Sequence, residues 1–65
     1  MFIELTQDLG DQKRLIMLNM DTIAKFYANS RGGTTLDTKD GKKWLVTDKY
    51  ENVVKKVLLA QISAK

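Results

Sequence analysis

The pair Asp40-Gly41 constrains this chain more than any other local feature. It lies between two strand-like runs, Thr34 to Lys39 and Lys42 to Val46. Asp-Gly between such runs favours a two-residue type I′ turn, because both central residues of that turn need positive φ. Such a turn predicts the register: Lys39 faces Lys42, Thr38 faces Lys43, Asp37 faces Trp44, Leu36 faces Leu45, and Thr35 faces Val46. Leu36 and Leu45 then share one face of the hairpin, while Trp44 and Val46 share the other. The expected hairpin is apolar on both sides.

The flanking segments extend this strand pattern. From Phe2 to Gln7 the residues alternate, with Ile3 and Leu5 on one side and Phe2, Glu4 and Thr6 on the other. Asp8 to Lys13 is polar, contains Gly10, and reads as a hairpin loop. Arg14 to Leu18 reads as a strand with Leu15 and Met17 on one face and Ile16 and Leu18 on the other. Asn19 to Thr22 breaks it, since Asn and Asp compete for backbone hydrogen bonds. Ile23 to Asn29 reads as a third strand, and Ser30-Arg31-Gly32-Gly33 as the most flexible stretch.

The last segment reads as a helix. Asp48 and Glu51 have the spacing of a capping box, with Asp48 as N-cap. At about 100° per residue, Tyr50, Val53, Val54, Val57, Leu58 and Ile62 form one apolar face. Asn52, Lys55, Lys56 and Ser63 fall opposite, and Leu59 lands among them. The expected fold is α+β: an antiparallel β-meander of four to five strands with one C-terminal amphipathic helix, as a single domain over residues 1–65. We see no internal repeat or linker.

Composition narrows the chemistry. The chain has no Cys and no His, which removes thiolate chemistry, the commonest general base and the commonest metal ligand. Ser30 and Ser63 are the only serines and have no imidazole to activate them. Asp8, Gly10 and Asp11 form an acidic turn without the terminal Glu of a calcium loop. Gly32-Gly33 lacks the spacing of a phosphate-binding loop. We therefore expect no catalytic residue, cofactor or metal. Eleven Lys and Arg against eight Asp and Glu leave a net charge of +3, with both signs interspersed. Leu15–Leu18 and Val57–Ala60 are the longest apolar runs, far short of the roughly 20 residues of a membrane span. No secretory pattern follows Met1. We expect a complete natural reading frame and a soluble cytoplasmic protein.

Two binding readings follow. One helix covers one face of a small sheet, and a chain of this size buries only about 60% of its unfolded surface. The uncovered face or a sheet edge is then expected to bind a second copy or another protein, with Trp44, Leu45, Tyr27 and Leu59 as contact residues. The alternative is a nucleic-acid surface, with Lys42, Lys43, Arg31 and Lys49 meeting phosphates and Trp44 stacking on bases.

Four stretches, in order, resemble the small flagellar, swarming-motility FlbD/SwrD-type proteins. They are the opening strand Phe2-Ile3-Glu4-Leu5-Thr6, the corner Leu18-Asn19, the hairpin Asp40-Gly41-Lys42-Lys43-Trp44-Leu45-Val46, and the helix segment Glu51-Asn52-Val53-Val54-Lys55-Lys56-Val57. Met20 stands where that family has a corner Pro. The resemblance implies a cytoplasmic accessory protein for motility, with no catalytic residues to carry over. The size and texture equally suit a phage-encoded protein acting on a host component.

Overall fold

A computed structural model describes residues 1–63; Ala64, Lys65 and the side chain of Ser63 lie outside the described residues. Strands β1 (Phe2–Asp8) and β2 (Lys13–Asn19) form the first hairpin. A 3-10 turn, Met20–Thr22, leads into β3 (Ile23–Ala28), β4 (Thr34–Thr38) and β5 (Lys43–Val46), and helix α1 (Tyr50–Ser63) is the last element among the described residues. The five strands make one antiparallel sheet in the order β2-β1-β5-β4-β3. The α+β fold with one C-terminal helix is as expected. The return of β5 to lie beside β1 joins the two hairpin systems into one layer: Gln7 pairs with Val46, and the Thr47 N–H donates to the Thr6 carbonyl at 2.9 Å.

Strand alternation places the core. Ile3 and Leu5 of β1 stand opposite Leu18 and Ile16 of β2. Phe26, Leu36 and Trp44 align across β3, β4 and β5. These side chains point to the helix side, where Ile3, Leu5, Leu18, Leu36, Val46, Val53 and Ala60 are buried. Ile16, Met20, Ile23, Phe26, Trp44 and Val57 pack around them.

The β4–β5 register differs from the expected one by a residue. Trp44 stands opposite Leu36, and Leu45 opposite Thr35. The loop has three residues, Lys39, Asp40 and Gly41. The Thr38 N–H donates to the Lys42 carbonyl at 2.9 Å, and the Gly41 N–H donates to the Thr38 carbonyl at 3.0 Å. Only Gly41 has positive φ, at 88°, whereas a type I′ turn would require it of Asp40 as well. Local hydrogen bonds hold this longer loop. Asp40 accepts from the Thr38 hydroxyl and from the Lys42 N–H at 3.2 Å. A one-residue slip exchanges the faces of every later side chain. Trp44 therefore joins Leu36 and Phe26 on the helix side of the sheet, and Leu45 turns to the outer face.

The loop expected to be most flexible, Ser30–Gly33, is tied at both ends by Asn29. The Asn29 side-chain oxygen accepts from the N–H groups of Arg31 at 3.0 Å and Gly33 at 3.1 Å. Its amide donates to the Thr35 hydroxyl at 3.3 Å. Gly33 is buried, and a Cβ built there would stand 2.1 Å from the Val46 carbonyl oxygen. Close approach of β4 and β5 requires glycine at this position.

Asp48 does not cap the helix. The carbonyl of Lys49 accepts from Asn52 and Val53 at 2.9 and 3.0 Å, so the first turn grows from Lys49. The Asp48 carboxylate instead accepts from the Thr6 N–H of β1 at 2.8 Å and from the Lys56 ammonium of α1 at 3.1 Å. Its carbonyl accepts from the buried Thr34 hydroxyl at 2.8 Å. The two bonds to the charged carboxylate are of the stronger kind, roughly 1.5–3 kcal/mol each, and with the neutral Thr34 bond they fasten β1, β4 and α1 at one point.

The helix is rotated relative to the expected face. Val53 and Ala60 are buried, with Lys56 and Val57 half-buried. This i, i+3, i+4, i+7 stripe brings small Ala60 to the sheet and lets Lys56 reach the Glu4 carbonyl at 2.6 Å. Leu58 and Ile62 lie about 140° and 180° around the helix from Val53, and both are exposed.

Candidate interaction surface

The side of the sheet away from the helix contains two unlike regions. Across β3, β4 and β5, Tyr27, Thr35 and Leu45 form one row, and Lys25, Asp37 and Lys43 form the next. Asp37 pairs with Lys43 at 3.0 Å and with Lys25 at 3.7 Å. Lys43 also donates to the Tyr27 hydroxyl at 3.4 Å. The Asp37 hydrogen bond, followed by that to Tyr27, raises the Lys43 ammonium above its ordinary pKa. This region pairs its own charged groups, with Tyr27 40% exposed and Leu45 half-buried beside them.

The β1–β2 region presents the opposite surface. Phe2, Leu15 and Met17 stand outward at 59%, 68% and 59% exposure, grouped around Glu4, which pairs with Met17. At the far end of this hairpin Asp8 accepts from the Gly10 N–H at 2.9 Å. It also pairs with Lys13 at 3.3 Å and Arg31 at 4.0 Å. The Gly10 hydrogen bond, reinforced by these cations, lowers the Asp8 pKa.

The two sheet edges also differ. At the β3 edge the register shifts between Ile23 and Lys25, and the Lys25 charge projects there in its ion pair. Bulges and lysines of this kind keep an edge from pairing with other chains. The β2 edge has neither device in its centre: its seven residues pair with β1 without interruption. Met20 N–H to Met1 O, at 2.7 Å, fixes which residues bond inward. By alternation Arg14, Ile16 and Leu18 bond to β1, while the N–H and C=O groups of Leu15 and Met17 point away from the sheet.

The four expected contact residues are divided by this geometry. Tyr27 and Leu45 share the outer face, Leu45 half-buried. Trp44 lies on the helix side and lines a cleft of about 400 Å³ with Leu18, Thr22 and Thr38. Leu59 is 64% exposed on the helix and borders a shallow groove with Met1 and Phe2. Phe2, Leu15 and Met17 were not among the expected contacts. Their alternation was visible in each strand, but only the β1–β2 register brings them together.

The basic residues are divided too. Lys43 and Trp44 face opposite sides of β5. Lys42 lies beyond the Thr38 end of β4, whereas Arg31 lies before the Thr34 end and Lys49 follows β5. The five expected nucleic-acid residues therefore do not gather on one side of the sheet. A larger groove, about 730 Å³, runs between α1 and β3 past Ile23, Phe26, Tyr50 and Val57, where the Phe26 and Tyr50 rings meet at 5.6 Å. Among the described residues no group of three or more acidic, His or Cys side chains could hold a metal ion. Among them, no helix is long and apolar enough to cross a membrane.

Comparison with protein-family models finds no match, and comparisons with curated proteins and with solved structures find none either.

Proposed function

We propose that this chain is a small non-enzymatic interaction module that self-associates through the β1–β2 side of its sheet. The observation that carries the reading is the exposure of Phe2, Leu15 and Met17 beside a strand edge with no bulge, Pro or charge from Leu15 to Leu18. Grouped exposed apolar side chains on a small protein mark contact sites, and a one-helix fold of this size gains stability by covering them. The resemblance of the opening strand, hairpin and helix to FlbD/SwrD-type proteins supplies a setting: an accessory of motility in the cytoplasm, acting on a protein partner. A phage-encoded protein directed at a host component uses the same surface in the same way.

Sedimentation equilibrium over a wide concentration range tests the reading. The expected outcome is a mass of two or more chains that dissociates on dilution. The mass of one chain at every concentration, together with a well-ordered spectrum, would overturn it.

A further inference from the structure

Resting on that self-association, we infer that the contact is an antiparallel pairing of β2 with β2 of a second copy, centred on Ile16, which continues the sheet from five strands to ten. The backbone supplies the first argument. Leu15 and Met17 direct their N–H and C=O groups outward from an edge without bulge or Pro. Such a row of unpaired groups is a template for another strand.

The side chains argue for a copy of the same strand. A two-fold axis at Ile16 sets Leu15 of each copy opposite Met17 of the other, both outward-bonding residues, so each pair exchanges two backbone hydrogen bonds. Those two pairs, with Phe2 of each copy close by, make one apolar patch on the outer face. On the helix side Ile16 meets its own equivalent. No polar side chain enters the centre of the seam.

Charge fixes the direction. The strand has Lys13 and Arg14 at one end and Leu18 and Asn19 at the other. Parallel pairing in register would stack four cations. Antiparallel pairing separates them and brings Lys13 of each copy to the Asn19 end of the other. There the Asp21 carboxylate stands 77% exposed, 3.8 Å from the Met1 amino group. Lys13 already pairs with Asp8 of its own chain, so the direction follows from separating the cations: like charges across strands disfavour the parallel register.

Met17→Pro provides the test. The Met17 N–H makes no bond within the chain, and Pro is tolerated on an edge strand where its missing N–H faces outward. The expected result is loss of the dimer with the far-ultraviolet spectrum of the wild type retained. A second measurement uses the absence of native cysteine. Ile16→Cys should form an intermolecular disulfide readily, because directly opposed non-hydrogen-bonded residues lie about 4.5–5.5 Å apart, whereas Ala24→Cys on the β3 edge should not. Hydrogen exchange on the wild-type chain requires no variant: the Leu15 and Met17 amides should gain protection as concentration rises.

A folded Met17→Pro chain that still dimerises would overturn the edge pairing and leave self-association standing. Should that variant fail to fold, unprotected Leu15 and Met17 amides in the wild-type dimer would overturn it equally. A wild-type chain that is monomeric throughout would remove self-association and this geometry together.

Discussion

The β4–β5 hairpin and the β1–β2 hairpin solve the same problem differently. Around β4 and β5 the chain closes on itself. Thr34, Thr35 and Thr38 are buried and hydrogen-bonded, Asp37 draws in two lysines, and Trp44 is turned to the helix side of the sheet, against the core. Around β1 and β2 one face feeds the core through Ile3, Leu5 and Leu18, while the other holds its apolar residues in solvent. Both hairpins belong to one sheet, so the difference lies in what their outward faces and edge satisfy within the chain. Mutations in the β4–β5 region should alter folding, and mutations on the outer face and edge of β1–β2 should alter association.

The largest effect is expected from Gly33→Ala. The new methyl group would meet the carbonyl of Val46, a backbone atom unable to move without shifting β5. Overpacking of this severity costs about 3 kcal/mol. Urea unfolding should show a large fall in midpoint. Gly10→Ala in the other hairpin is the contrast. Its Cβ meets nothing within 4 Å, and only the positive φ opposes it, at about 1 kcal/mol. Equal costs for the two substitutions would break the distinction between the closed and open hairpins.

Next in size is the pair Trp44→Ala and Leu45→Ala. In the observed register Trp44 supports the core and Leu45 does not, so Trp44→Ala should cost about 2–3 kcal/mol and Leu45→Ala about 1 kcal/mol. Neither should weaken association, because neither residue lies at the β2 edge. Denaturation midpoints combined with sedimentation check both halves of the statement. Loss of the dimer in folded Trp44→Ala would move the interface to the helix side.

This hairpin also shows how far the residues alone could be read. Element types and order follow from alternation in Phe2–Gln7 and from helical spacing after Tyr50, both local patterns. The uncovered face was legible as a consequence: one helix is narrower than five strands. The register of β5 was not, because Asp-Gly fits two loops that differ by one residue. The choice rests on the Asp40 contacts with Thr38 and Lys42, and on packing of half-buried Trp44 beside Leu36 of the neighbouring strand. Helix rotation was lost for a similar reason. Lys56 looked polar by type, yet it belongs to the inward stripe because Asp48 and the Glu4 carbonyl lie within its reach. The interface candidates inherited both displacements: Trp44 moved inward, and the Phe2, Leu15 and Met17 group emerged only with the pairing of β1 and β2.

The smallest expected effect separates the two hairpin loops by acid and salt. Each loop contains one carboxylate held below its ordinary pKa of 3.8. For Asp8 the first cause is the Gly10 N–H, with further lowering by Lys13 and Arg31. For Asp40 the causes are the Thr38 hydroxyl first and the Lys42 N–H second, with the Lys42 charge contributing less. Lowered folded-state values mean that the stabilisation is fully present above the unfolded-state pKa. It is lost as pH falls through the folded values, in a window below about pH 4. Asp8→Asn and Asp40→Asn should each make stability less steeply dependent on pH there. Salt then tells them apart, because added ions screen exposed charges more than they weaken short hydrogen bonds to neutral donors. Side-chain carboxyl titrations by NMR should show the Asp8 value rising toward its ordinary one in concentrated salt, with Asp40 moving less. Equal movement of the two would show that ion pairing contributes equally to both loops, and would erase the distinction drawn between them.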